Sequence, residues 1–171
     1  MECPYCGYDN IKGVDLCGSC GTDLAGLDLP AEQAVGERRS LYDVKLGELY
    51  HHKPLTVTPD TPVSEALARM KEQVHGATFV IDKESRLVGI FTERDLIHGF
   101  ALGDRDLSTP VQEVMTKNPD ALTVDASLSM AMNLMGTKGY RHIPIVDDDK
   151  RLIGFSSIRG ILSYFRTHVV S

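Results

Sequence analysis

The sequence predicts an α/β chain, with helices and paired strands mixed in the α+β manner, in which one unit is used twice behind a small N-terminal module. Three observations carry that prediction. Residues 46–100 align with residues 111–165 at a constant offset of 65, without a gap. Each copy sets an apolar 3,4-spaced stretch ahead of two short runs rich in Val, Ile and Phe. All four cysteines fall within the first 20 residues. The domain boundaries that follow are a metal-held module at 1–26, a linker at 27–40, a first copy at 41–105 and a second at 106–171.

The module comes first. Cys3, Cys6, Cys17 and Cys20 form two C-x2-C pairs, each followed by glycine (Gly7 and Gly21). Two residues between cysteines let both sulfurs reach one tetrahedral ion, and the glycine permits a turn with positive φ. So short a segment cannot bury enough surface to fold unaided, so the metal supplies folding energy. Two disulfides or a redox pair are the alternatives. The N-terminus lacks the basic start and apolar core of a signal peptide, which disfavours an oxidising compartment. A strand–helix context for a redox Cys-x-x-Cys is missing. The following stretch, "AGLDLPAEQAVGERRS", reads as a linker with one short helical turn.

Each repeat copy has one element order. A short apolar helix (44–50; 111–115) leads into a Pro-led extended piece, "KPLTV" or "NPDALTV". A helix follows, with apolar Val63, Ala66, Leu67, Met70 and Val74, and in the second copy Leu128, Ala131, Met132 and Met135. Asp60 and Asp125 are candidate caps before it. Two strands come next, "ATFVI" and "RLVGIF", then "RHIPIV" and "RLIGFS", joined by the acidic turns "DKES" and "DDDK". A closing helix begins near Glu93 or Ile158.

The net charge of −6 argues against general nucleic-acid binding, which needs clustered Lys and Arg. No apolar run approaches the roughly 18 residues a membrane helix needs, so a soluble cytoplasmic protein is expected. Neither a Ser/His/Asp arrangement nor a phosphate loop is visible, so no enzyme activity is expected.

Two segments carry a family resemblance. "HGATFVIDKESRLVGIFTERDL" (75–96) and "YRHIPIVDDDKRLIGFSSIRGI" (140–161) resemble the halves of a CBS domain pair, the Bateman module, over most of 41–168. The resemblance implies a pseudo-twofold sandwich whose clefts hold adenosyl ligands such as AMP, ADP, ATP or S-adenosylmethionine. It also implies a homodimer that senses ligands for an unknown regulated protein. The segment "CPYCGYDNIKGVDLCGSCGTDL" resembles a short zinc ribbon. It is more faintly similar to rubredoxin, but its ten-residue spacer is short and its aromatic filling thin for that family. Zn2+ is therefore preferred over iron, in a structural site whose ribbon serves to dock a partner.

The resemblance also marks ligand residues. Thr92 and Asp95 stand where the family places a hydroxyl and a ribose-binding carboxylate. An ionised carboxylate accepts both donors of a ribose diol. The same pair reads equally as a helix cap, and both roles can coexist. Lys53, Thr56 and Val57, and Gly76, Ala77 and Thr78, line the cleft by analogy, and Arg94 reaches phosphate. In the second copy Ser157 keeps the hydroxyl but Gly160 offers no carboxylate. Arg141 and His142, with Lys138 and Arg159, supply candidate phosphate partners, and Pro144 is a further ligand-lining residue. His98, and the adjacent His51 and His52, read as surface residues. One principal ligand site per chain is expected. The alternative is a ligand-free dimerisation scaffold whose ribbon docks on protein or nucleic acid.

Overall fold

The structure is a computed structural model. It describes residues 1–3, 5–11, 14, 16–22, 24, 44–50, 53–100 and 106–168. The linker at 27–40 and the His51–His52 pair lie outside the described residues.

The first copy contributes β1 (Thr56–Val57), α1 (Val63–Gln73), β2 (Ala77–Ile81), β3 (Leu87–Thr92) and α2 (Glu93–Phe100). The second contributes β4 (Thr116–Lys117), α3 (Leu128–Lys138), β5 (His142–Val146), β6 (Leu152–Ser157) and α4 (Ile158–His168). One 3-10 turn leads each copy, at Leu46–Glu48 and Val111–Glu113. The strand pairs and the starts of both closing helices fall where the sequence places them.

Strands β2 and β3 pair antiparallel, as do β5 and β6, and both pairs slip register once at the same relative point. The turns between them are built alike. Asp82 Oδ1 accepts from the Arg86 N–H at 2.8 Å, and Asp147 Oδ1 from the Arg151 N–H at 2.8 Å. An aspartate that ties down its own turn in this way fixes the hairpin locally. The two turns then meet each other. The Leu87 N–H donates to the Lys150 carbonyl and the Leu152 N–H to the Ser85 carbonyl. These reciprocal bonds mark the pseudo-twofold axis.

The boundary between copies in space is not the boundary in sequence. Val111, from the second copy's leading turn, is buried in the core of the first with Val57, Val63, Met70 and Phe91. Val44 and Leu46, from the first copy's leading segment, are buried in the core of the second with Leu128, Ile143 and Ile145. Each leading segment has crossed over. The backbone follows the same rule: the Val63 N–H donates to the Thr109 carbonyl and the Leu128 N–H to the Val44 carbonyl. Strand β4 accordingly joins the first copy's sheet, in the order β1-β2-β3-β4. There Met115 lies across Gly89, where any Cβ would meet its sulfur.

Two sequence expectations need correction. The second copy's extended piece is not a strand like β1 but a single parallel bridge, Leu122 to Ile145, the repeat equivalent of the Val57–Val80 pair, and β4 just before it pairs with β3 of the first copy instead. The caps are also not the aspartates. Pro62 starts α1 without a side-chain cap, and Ser127 caps α3 by accepting from the Met130 N–H. Asp60 instead accepts from the Gln112 side chain at 3.0 Å.

Candidate functional site

The cleft forms where the β3–α2 corner of the first copy faces the leading segment and the β5 start of the second. Glycine, then apolar residues, then Thr92 end β3, and Thr92 turns the chain into α2. The cap reading holds at this corner. Asp95 Oδ2 accepts from the Thr92 N–H at 2.8 Å and from the Thr92 hydroxyl at 2.6 Å. Its other oxygen, Oδ1, accepts from the Thr116 hydroxyl of β4 at 3.3 Å. The crossed-over strand therefore fixes the carboxylate from the opposite side. A carboxylate has about four acceptor positions, so this one keeps capacity for a further donor.

Across the cleft stand Lys138, Gly139, Tyr140, Arg141, His142 and Pro144, with Pro119 and Asp120 at one side. The space enclosed is about 160 Å³. Asp120 Oδ2 accepts from Lys138 Nζ at 2.7 Å and from the Tyr140 hydroxyl at 2.8 Å. The Lys138 ammonium, then the Tyr140 hydroxyl, hold the Asp120 carboxyl below the usual carboxylate range. Burial first, and Asp120 second, push the Tyr140 phenol up. The Arg94 guanidinium reaches over Gly139, where a Cβ would lie 3.7 Å from its Nη1. The cleft thus sets the cations Arg94, Lys138 and Arg141 among the carboxylates Glu93, Asp95 and Asp120.

Of the residues singled out from sequence, this cleft gathers Gly76, Thr92, Arg94, Asp95, Lys138, Arg141, His142 and Pro144. The others stand elsewhere. Thr56 and Val57 line a separate shallow depression with Asp60, Glu65 and Arg69. Ala77 is buried beside Phe79 and Phe155. Thr78 is fully buried and its hydroxyl donates to the Leu55 carbonyl. Ser157 is buried and accepts from the Gly160 N–H at 3.1 Å, capping α4. Lys53, Arg159 and His98 are exposed and outside the cleft lining. For Thr56 and Val57 the reason is the sheet order: β1 lies at the edge opposite β4, while 116–120 and 138–144 face the Asp95 corner. Sequence reasoning missed Thr116, Asp120 and Tyr140. The signal available was the repeat itself, since Asp120 and Tyr140 replace Leu55 and His75.

A family model described as the CBS domain matches residues 46–101 and again residues 111–167. The chain belongs to the CBS-domain family. Its CBS pair is 37% identical over 117 residues to an uncharacterized 17.7 kDa protein of Acidianus ambivalens, covering 68% of this chain and 70% of that one. It is 36% identical over 118 residues to the inosine-5'-monophosphate dehydrogenase of Methanocaldococcus jannaschii, covering 69% of this chain but only 23% of the enzyme. In structure it is similar to the CBS domain pair of protein MJ0100, solved with 5-methylthioadenosine and S-adenosyl-L-methionine. The TM-score is 0.66 at 21% identity, over 71% of this chain and 99% of that one. It is also similar to CBSX2 solved with AMP, with a TM-score of 0.64 at 23% identity, over 72% and 97% of the two chains. At these identities the structural likeness establishes the tandem CBS fold.

The second site is the four-cysteine module. The four ligand sulfurs lie within 4.8 Å of one another. Cys3 and Cys20 sulfurs are 3.7 Å apart, and Cys6 and Cys17 sulfurs 3.6 Å. A tetrahedral four-thiolate zinc site has an edge of about 3.8 Å, so the cluster fits a metal ion. The two knuckles are built alike. Gly7 donates to the Cys3 carbonyl at φ 72°, and Gly21 to the Cys17 carbonyl at φ 70°. Buried Asn10 ties them together, donating to Cys17 Sγ and accepting from the Gly18 N–H at 2.9 Å. Burial opposes a thiolate at Cys17, but the Cys20 and Ser19 N–H groups and Asn10 outweigh it and bring that thiol down to about 6. Burial pushes Cys6 up to about 12. Among the described residues, no helix is long and apolar enough to cross a membrane.

Proposed function

We propose that the chain is a non-enzymatic regulatory sensor that binds one adenosyl ligand, of the AMP, ADP, ATP or S-adenosylmethionine class, in the Asp95 cleft. The observation that carries this reading is the cleft's make-up: a positioned carboxylate on one wall and Arg94 and Arg141 within the same small space. Asp95 takes the ribose diol, and the arginines and Lys138 take a phosphate or carboxylate tail. The adenosyl compounds bound by MJ0100 and CBSX2 support the ligand class.

Zinc is the metal we assign to Cys3, Cys6, Cys17 and Cys20. Four thiolates close the coordination shell and leave no open position for chemistry, so the ion's role is structural. We assign a homodimer as the assembly. Ile97 on α2 and Leu162 on α4 are equivalent residues of the two copies, and both are 62% exposed. An apolar pair repeated about the pseudo-axis suits an isologous contact with a second chain.

The test is a thermal-shift series with AMP, ADP, ATP and S-adenosylmethionine on wild type and on Asp95→Ala. A ligand at 100 times its Kd stabilises the fold by about 2.7 kcal/mol. The reading expects such a shift in wild type and its loss at the same concentration in Asp95→Ala. A series in which no compound shifts the wild type supports the ligand-free scaffold instead.

A further inference from the structure

The outer faces of α1 and α3 differ in a way the ligand cleft does not explain. On α1 the residues Ser64, Glu65, Ala68 and Arg69 are exposed, and Arg69 pairs with Glu65 at 2.6 Å. The equivalent α3 residues are Ser129, Met130, Asn133 and Leu134, and none of them is exposed. The salt-bridged positions of the first copy have become apolar in the second. Leu134 packs on the second copy's own core, which leaves Met130 and Asn133 as the half-buried outer residues that need another partner.

That partner is the first knuckle. Asn133 Nδ2 donates to the Tyr5 carbonyl, between Cys3 and Cys6, at 3.0 Å. A Cβ on Gly7 would lie 3.7 Å from Met130 Cε. Both contacts use backbone whose shape the cysteines dictate. The Tyr5 carbonyl and Gly7 hold their positions because Gly7 donates to the Cys3 carbonyl and Cys3 to the Tyr8 carbonyl. The far end of the same helix, Lys138 and then Gly139, forms a wall of the cleft.

We propose that the four-cysteine module is a metal-set cover on α3. With the ion in place the knuckle presents its backbone to Met130 and Asn133. Losing the ion unmakes the knuckle, uncovers the apolar face and loosens the helix toward Lys138. Metal loading is thereby linked to the firmness of the cleft wall, and the consequence for a bound ligand, though not the cover itself, rests on the function proposed above.

Hydrogen exchange on the full chain, read by mass spectrometry with no nucleotide present, tests this. Three samples are compared: zinc-loaded, chelator-stripped then refilled, and zinc-loaded Met130→Glu. The substitution completes a capping box with Ser127, so it does not weaken the helix itself. We expect peptides over 128–138 to exchange about fivefold faster or more after stripping, and to recover on refilling. Met130→Glu should give the same acceleration while retaining one zinc per chain. Peptides over 63–73, on uncovered α1, should be unchanged throughout. Unchanged α3 exchange in the stripped protein or in Met130→Glu would overturn the proposal. So would equal acceleration of α1, which would mean general loosening.

Discussion

Thr92–Asp95 and Ser157–Gly160 occupy equivalent corners of the two copies, and both cap the helix that follows. Among the described residues, only the first faces a wall rich in polar side chains. Across from Asp95 stand Asp120, Lys138, Tyr140, Arg141 and His142. Their counterparts, sixty-five residues earlier, are Leu55, Gln73, His75, Gly76 and Ala77. Pro144 lines the cleft, whereas its counterpart Phe79 is 1% exposed and packs on Phe155 at 5.4 Å between ring centroids. One half of the pseudo-symmetric pair has kept polar groups around an opening. In the other, Leu55, Ala77 and Phe79 are buried in core, while Gln73 is exposed and His75 and Gly76 are half-buried. Symmetry of fold offers two equivalent corners, and among the described residues the side chains around them differ.

The comparison can be broken most forcefully from the filled side. Phe79→Ala empties the junction between the copies and should cost about 3–5 kcal/mol, read by urea denaturation. A loss under about 1 kcal/mol would show that the counterpart is not a packed core. Next in size, adding the missing carboxylate should not create a site. Gly160→Asp should leave the ligand stoichiometry of the wild type in a calorimetric titration, because Leu55, Gly76 and Ala77, the counterparts of Asp120, Arg141 and His142, offer a ligand no polar side chain. A second binding event in that variant would mean that the carboxylate alone decides.

A smaller effect is expected at Val74, the counterpart of Gly139. Both end their helices in the left-handed region, at φ 56° and 68°. A β-branched residue is strained there, and Val74 is 79% exposed, so little packing offsets the strain. Val74→Gly should therefore stabilise the chain by roughly 0.5–1 kcal/mol in the same denaturation assay. The smallest effect belongs to the Asp120–Lys138 pair. Its side chains are 43% and 49% exposed, so solvent screening leaves it a small effect. The Asp120 carboxyl lies lower in the fold than in the unfolded chain, and the Lys138 ammonium higher. The pair's contribution is thus present from above the unfolded carboxylate range to below the unfolded lysine range. It fades as pH falls through the folded Asp120 value or rises through that of Lys138. Asp120→Asn should remove the acid limb of that dependence in a pH series of melting temperatures.

How much of this was legible in the sequence depends on distance along the chain. The hairpins were legible because Asp82 and Asp147 bond their own turns, four residues away. The helix corners were legible because Thr92 and Asp95 sit three apart. The exchange of leading segments was not. Val44 and Val111 are apolar in either arrangement, and only the packed cores decide which copy receives them. The cleft's composition depended on that exchange. Thr116 reaches Asp95 only because β4 joins the first copy's sheet, and Thr56 and Val57 stand apart from it on β1, at the other edge of that sheet. The knuckles were legible as a metal module, but their seat on Met130 and Asn133 spans more than a hundred residues and no local pattern announces it.

The central claim is one ligand site per chain, held by Asp95. Its most direct test is a calorimetric titration of the full chain with whichever of AMP, ADP, ATP or S-adenosylmethionine gives the largest thermal shift. The account predicts one molecule bound per chain, and an affinity at least about tenfold weaker in Asp95→Ala, equivalent to about 1.4 kcal/mol. Two equivalent sites per chain, or an affinity unchanged by Asp95→Ala, would contradict it.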